Sequence, residues 1–360
     1  MKHSPLYDIH RTLHATFVEV AGWEMPDHYG DPLAEHNAVR TDVGLIDLSH
    51  RGMLRITGSD RVTFLHNLVT NDITSLSPGM GCYATILNPK GRILADMRVY
   101  VLQDSLLLDT EPELPEKLFS TLDRYLIADD AVLEHVTEQI GSLGAYGPHS
   151  SALVKTLFET ELPEKEHHFA LCDFRGVTLL IVRSEITGEI GYNLFTPMEV
   201  IPDLWGTLCE KGRSMNARHV GLHALNTLRI EAGIPRYGVD MNEEVIALEA
   251  RLEHRAISFT KGCYVGQEVV ARATYRGHVN RLLSGLQIEG ETVPSRGDKV
   301  FDDDREVGHI TSAILSPTFN RPLALAYLRR EVSDPGSRLS VTVEGTAIPA
   351  EVVALPFYRR

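Results

Sequence analysis

The residue types able to do chemistry are densest in the run Lys261-Gly262-Cys263-Tyr264-Val265-Gly266-Gln267-Glu268, with Arg272 and Arg276 close behind it. A thiol near lysine and arginine gains thiolate character, and the thiolate is the nucleophilic form. Cys263 therefore reads as a reactive group, with a buried, inert cysteine as the alternative. Arg272, Arg276, His278 and Arg281 form the one dense cationic segment of an acidic chain. Such a segment can receive a carboxylate or a phosphate, or can be solvated charge at a domain linker.

Three further places carry candidate groups. Period-two alternation puts Ile93, Ala95, Met97 and Val99 on one strand face and Leu94, Asp96, Arg98 and Tyr100 on the other. A carboxyl on that second face is partly desolvated and can hold or accept a proton beside a ligand amine. An ion pair with Arg98 or Arg92, or plain exposure, explains Asp96 as well. In Ser184-Glu-Ile-Thr-Gly-Glu-Ile-Gly-Tyr-Asn-Leu194, two glycines bracket Glu189, which suits a tight turn or the close approach of a flat ligand. Glu189 and Asn193 can hydrogen-bond the edge of a heterocycle, and an ordinary hairpin accounts for the same residues. Arg229 and Glu231 either position a ligand or belong to a solvated helix face.

The elements that must hold these groups follow from pattern. Ser59 or Asp60 can cap a helix whose Phe64, Leu65, Leu68 and Val69 share a face, with Asn71 and Asp72 near its end. Two strands flank the turn Asn88-Pro89-Lys90-Gly91. A strand, an acidic turn, a helix carrying Leu118, Leu122 and Leu126, and another strand complete a first α+β layer. The theme restarts near Leu143, with a strand pair up to Pro197 and a helix near Pro202 to Glu210. A further helix is expected from Leu222 to Glu231, with Leu225, Leu228 and Ala232 as its buried stripe, stopped by Gly233 and Pro235. After Gly277 only short strands and turns remain, the pattern of a small β-barrel or sandwich.

Composition narrows the function classes. A hydrophobic share of 43% and a charged share of 23% are those of a folded globular protein, and 360 residues imply two or three domains. The net charge of -14 argues against a broad nucleic-acid surface, because polyanion affinity comes from Lys and Arg. Neither a secretion signal nor a run of about 18 apolar residues is present, so a cytoplasmic protein without a membrane anchor is expected. Cys82, Cys172, Cys209 and Cys263 are scattered without metal-ligand spacing, so reduced thiols and no metal are expected.

The segment from Phe17 to Ile73, then Arg124–Asp130, Leu228–Gly233, Ser316–Leu328 and Pro356–Tyr358, resembles the glycine-cleavage T protein, an aminomethyltransferase that uses tetrahydrofolate. Within that superfamily, Ala232–Met241 and Lys261–Arg281 look like the YgfZ branch, folate-binding proteins tied to maturation and repair of iron-sulfur enzymes and to some tRNA modification. The resemblance implies an α+β fold of three lobes. Two are α+β folate-binding lobes within residues 1–278, approximately 50–140 and 1–49 with 141–278; the third is a C-terminal β-barrel, residues 279–360.

It also implies roles for residues. Asp96 falls at the family's catalytic aspartate beside the reactive folate nitrogens, although the usual aspartate before it is Ala95 here. Tyr83, Glu189, Asn193 and Arg229 join Asp96 as folate-binding residues, and Cys263 becomes the functional thiol of the YgfZ branch. Two departures stand out. The pterin strand, usually Tyr-Thr-Gly-Glu-Asp-Gly-Phe-Glu, reads Ile186 to Asn193 and so loses its tyrosine and its last carboxylate. Losing a charge-assisted hydrogen bond of that kind costs about 1.5 to 3 kcal/mol. The usual Gly-Ala-Arg-Asp run is His223-Ala224-Leu225-Asn226, without its arginine. The expectation is thus a tetrahydrofolate-binding YgfZ-type protein partnered by iron-sulfur assembly proteins or client enzymes. An aminomethyltransferase served by a lipoylated carrier protein is the alternative, and a non-catalytic folate-responsive adaptor a second one.

Overall fold

The computed structural model describes all of residues 1–360. Around the turn at Asn88–Gly91, the strands Gly81–Leu87 and Ile93–Val101 pair antiparallel, and Leu106–Thr110, Gly52–Thr57 and Val132–His135 extend the sheet to five strands in that order. The alternation sets the faces as expected: Ile93, Ala95, Met97 and Val99 sink into the largest core, with Leu118 and Leu122 of the helix Pro115–Asp123. Burying such side chains, at about 1.5–3 kcal/mol each, holds the helix on the sheet. The helix expected after Ser59 is shorter, Arg61–His66, and Asp60 does not cap it. Its carboxylate accepts from the Asp130 backbone N–H at 2.8 Å, tying the helix entrance to the loop that leads into the strand Val132–His135.

A second sheet of six strands runs Phe169–Phe174, Val177–Ser184, Gly191–Pro197, Ile140–Tyr146, Gly44–Asp47 and Arg218–His219. Its outer face carries the helices Ser150–Leu157 and Ile201–Gly212 over an apolar core. Its inner face meets the first sheet through Met53, Tyr100, Leu107, Phe169, Val182 and Phe195, a separate buried cluster that joins the two lobes. Residues 237 to 270 run mostly as turns and add Tyr237, Met241, Ala256 and Tyr264 to the first lobe's core. They end in a helix, Gln267–Tyr275, that the sequence pattern did not reveal, because Val270 is its one buried side chain.

From Arg281 six strands close into a barrel, the last, Thr346–Val353, returning to pair with the first, Arg281–Ile288. The helix Leu222–Glu231 stands between this barrel and the second lobe. Leu228 fills its buried stripe, while Leu225 and Ala232 are only half-buried. Arg229 and Glu231, open to a reading as a solvated face, are both buried instead, because each meets a full set of partners. The Glu231 carboxylate accepts from His36 at 2.9 Å, Arg40 at 2.6 Å, Thr318 at 2.9 Å and the Ser316 hydroxyl. Two lobes' worth of elements thus converge on one side chain.

Burial alone would raise the Glu231 pKa, but these donors hold it down at about 2. Such a group stabilises the fold above its ordinary range and loses that contribution as the pH falls from 4.5 toward 2. Glu231→Gln strips Arg40 of its buried counter-charge and is expected to cost about 3 kcal/mol or more in urea unfolding at pH 7. A loss below about 1 kcal/mol would show that the hub is not structural.

Candidate active site

Between the two α+β lobes, a cavity of about 100 Å³ is lined by both polar and apolar side chains. Asp96 lies in its wall. In the sheet Thr85 pairs with Asp96 and Tyr83 with Arg98, so Tyr83 is the diagonal neighbour of Asp96 and its hydroxyl donates to Asp96 Oδ2 at 2.7 Å. Asp96 Oδ1 is buried and has no partner. Burial, reinforced by the nearby Glu111 carboxylate, pushes the Asp96 pKa up to about 6, against the pull of Tyr83, Arg98 and Arg51.

The charges around it are arranged in a chain. Arg51 donates to Asp109 at 2.5 Å and to Glu111 at 2.7 Å, and Arg98 shares Asp109 at 3.4 Å. Glu111 is thereby kept at about 2 although burial opposes it. Burial lowers His50 to about 4 and His167 to about 3, so both imidazoles in the wall are neutral at pH 7. The rise in the Asp96 pKa brings its proton exchange toward neutrality, which is the property a general base or acid needs.

The cavity has two neighbours. Ile234, Pro235 and Arg255 line both it and a larger cleft of about 920 Å³ rimmed by the chain's last residues. Asn226, Arg229 and Arg236 line both it and an outer cleft between the second lobe and the barrel.

The structure brings Asp96, Tyr83 and Arg229 to this cavity. The Arg229 guanidinium is already saturated, by Asp240 at 2.5 Å, Asn226 at 2.8 Å and Ser312 at 2.8 Å, so it braces the wall from behind. Asn193 is buried in the second sheet and is not in the cavity lining. It accepts a short hydrogen bond from the Tyr146 hydroxyl, whose ring lies over Gly144 and Gly191; a Cβ on Gly191 would come within 2.0 Å of that ring. Glu189 faces the larger cleft, where it accepts from Tyr358 at 2.5 Å and Arg360 at 2.8 Å, and Arg40 stacks on Tyr358 at 3.8 Å.

Cys263 is exposed and lines neither the cavity nor the larger cleft. The cations near it in sequence have other partners: Lys261 donates to the carbonyls of His66 and Val69, and Arg272 pairs with Glu268 at 2.7 Å. Residues that sequence reasoning did not single out complete the wall, notably His50, Arg51, Glu111 and Arg236. They are separated by up to 186 positions, and only long-range pairing brings them together.

A buried carboxyl in the wall of a cavity between two α+β lobes, with a C-terminal barrel beside them, marks out a candidate site for proton transfer. Residues 6–261 match the GCVT N-terminal domain and residues 281–359 the glycine cleavage T-protein C-terminal barrel domain. The aminomethyltransferases of Saccharopolyspora erythraea and Streptomyces avermitilis are each 35% identical to it, covering 100% of this chain and 98% of their own. The crystal structure of glycine cleavage system aminomethyltransferase T from Bartonella henselae superposes with a TM-score of 0.91 at 26% identity, covering 99% of this chain and 98% of that one. The chain belongs to the glycine cleavage T-protein family. These relatives carry the name of the transferase alternative, not of the YgfZ branch or of an iron-sulfur or RNA-modification role.

Because folded Asp96 keeps its proton up to about pH 6, against 3.8 ordinarily, it favours the folded state at low pH, and that contribution is lost as the pH rises through 6. Asp96→Asn is therefore expected to stabilise the protein at pH 8 by roughly 2–3 kcal/mol and to leave stability at pH 4 nearly unchanged. Thermal melts at the two values check this, and an equal gain at both would mean that the carboxyl is not desolvated.

Proposed function

We propose that this chain binds tetrahydrofolate in the central cavity and transfers to it a one-carbon unit from an aminomethyl group carried on a lipoyl arm. The single observation that carries this reading is Asp96, with one oxygen fixed by Tyr83 and the other buried, unpartnered and lining the cavity. An unsatisfied buried oxygen is rare in a folded protein and fits an N–H donor from a bound heterocycle. The reduced folate supplies nucleophilic nitrogens. In the transfer, the aminomethyl carbon gains bonds to those nitrogens and loses its bonds to sulfur and to the amine, which leaves as ammonia; the products are methylene-tetrahydrofolate and the reduced lipoyl arm.

The chain's own residues do the rest. Asp96 orients the folate N–H and holds its proton, as a pKa of about 6 allows. Tyr83 fixes that carboxyl in place, and Arg98 and Arg51 reach it through their charge alone. Neutral His50 and His167 do not compete for the proton. Leu225 lines the wall within the His223–Asn226 run and supplies no charge to the ligand. Folate is accordingly held without the charge that the family's arginine brings at this position.

The test is ammonia release from a lipoylated carrier protein with tetrahydrofolate. Turnover is expected for the native protein, with kcat lowered about 10²- to 10⁴-fold by Asp96→Asn and unaffected by Cys263→Ala. Binding of tetrahydrofolate without any ammonia release would overturn the transferase reading.

A second reading rests on the exposure of Cys263 within the Lys261–Glu268 run. In it, the folate-binding protein serves iron-sulfur maintenance through an accessible thiol. Loss of function in cells on Cys263→Ala, with folate affinity intact, favours it over the first.

A further inference from the structure

Asp96 Oδ1 is not the only unsatisfied atom in the cavity wall. His50 Nδ1, Arg51 Nη2 and Arg236 Nε are also buried without a partner, and all three residues line the same space. His50 and Arg51 are themselves only 6% and 8% exposed. Orphaned buried donors are costly, at about 1–3 kcal/mol each and more for charged groups. Two guanidinium donors in one wall, with an imidazole nitrogen that donates in its Nδ1–H tautomer, call for a ligand that supplies acceptors.

The charge count says what kind of acceptor. Five arginines line the cavity against three carboxyls, Asp96, Glu111 and Glu113. Asp109 behind the wall takes Arg51 and Arg98, and Asp240 takes Arg229. Arg255 pairs with Glu166 at 3.6 Å. Arg236 remains: its backbone N–H donates to Asp240 at 3.0 Å and its carbonyl accepts from Val239, Asp240 and Met241, while its side chain makes neither a hydrogen bond nor an ion pair. Arg51, His50 and Arg236 also sit in one electrostatic neighbourhood, since Arg51 and Arg236 both act on His50 and on Glu111. Arg236 faces the outer cleft as well, so this end can be reached without passing Asp96.

We propose that His50, Arg51 and Arg236 form a second ligand site inside the cavity, built for the carboxylate of a small acid that is bound beside the folate. A planar anion with two acceptor oxygens satisfies the free guanidinium N–H groups of Arg51 and Arg236 at once, and a neutral imidazole adds a third donor in its Nδ1–H tautomer. The two-ligand arrangement rests on the folate reading above only for what occupies the Asp96 end. The acid's carboxylate is received whether or not folate is present.

The test titrates acetate, glycine and acetamide into the full-length protein, with and without saturating 5-formyl-tetrahydrofolate, following the probes by NMR line broadening. Acetate and glycine are expected to bind saturably and acetamide at least ten-fold more weakly. Arg236→Gln should weaken acetate about ten- to a hundred-fold, Arg236→Lys should restore part of that loss, and both should leave 5-formyl-tetrahydrofolate affinity within two-fold. Equal binding of acetate and acetamide overturns the proposal, as does an unchanged acetate affinity in Arg236→Gln. A parallel loss of folate and acetate would assign the donors to the pterin and also overturn it. Should 5-formyl-tetrahydrofolate fail to bind the native protein, the folate reading falls, while the acetate arm run without folate still decides the carboxylate site.

Discussion

A charge removed from water must be met by an opposite charge and enough hydrogen bonds, or the fold pays several kcal/mol for it. The helix Leu222–Glu231 buries two such charges at its C-terminal end, and each is answered by a different part of the chain. Arg229 is met by Asp240 and by Ser312 of the barrel, and Asp240 in turn by Thr311 and Ser312 at 2.6 Å each. Glu231 is met by the helix Pro32–Thr41 and by the loop that follows the same barrel strand. The lobes are therefore held in register by groups that tolerate little error in distance. The cavity is what that register leaves open between them.

The same economy shapes the cavity wall. Asp109 is fully buried and serves two arginines, so Arg51 and Arg98 are neutralised from behind while still presenting N–H groups or positive potential toward the ligand space. Against that background the Asp96 carboxyl is the group whose ionisation is uphill, because its single fixed partner is a neutral hydroxyl. One carboxyl is held between two arginines and the other is left able to exchange a proton, on adjacent strands of one sheet.

Much of this was legible in the chain. The alternation Ile93 to Tyr100 placed Asp96 on the face opposite the core, and the turn residues before it placed the strand pair. The shift to short strands after Gly277 marked the barrel within a few residues of Arg281. What stayed hidden depends on contacts between distant positions. Arg229 and Glu231 occupy helical positions that suit a solvated face, and only the arrival of Asp240, Ser316 and Thr318 makes them interior. The Gly188–Gly191 stretch read as a ligand edge, yet Asn193 is spent on Tyr146 and Glu189 on Tyr358 and Arg360. Arg236 sits in a turn that named no chemistry. Its significance comes from what does not touch it.

The two clefts that adjoin the cavity have a kinetic consequence. A molecule arriving past Arg255 and one arriving past Arg236 use separate approaches, so neither has to leave before the other can enter. On the transferase reading proposed above, such geometry permits a ternary complex assembled in either order, with initial-rate lines that intersect. It does not impose the strict queue of a pocket with a single mouth.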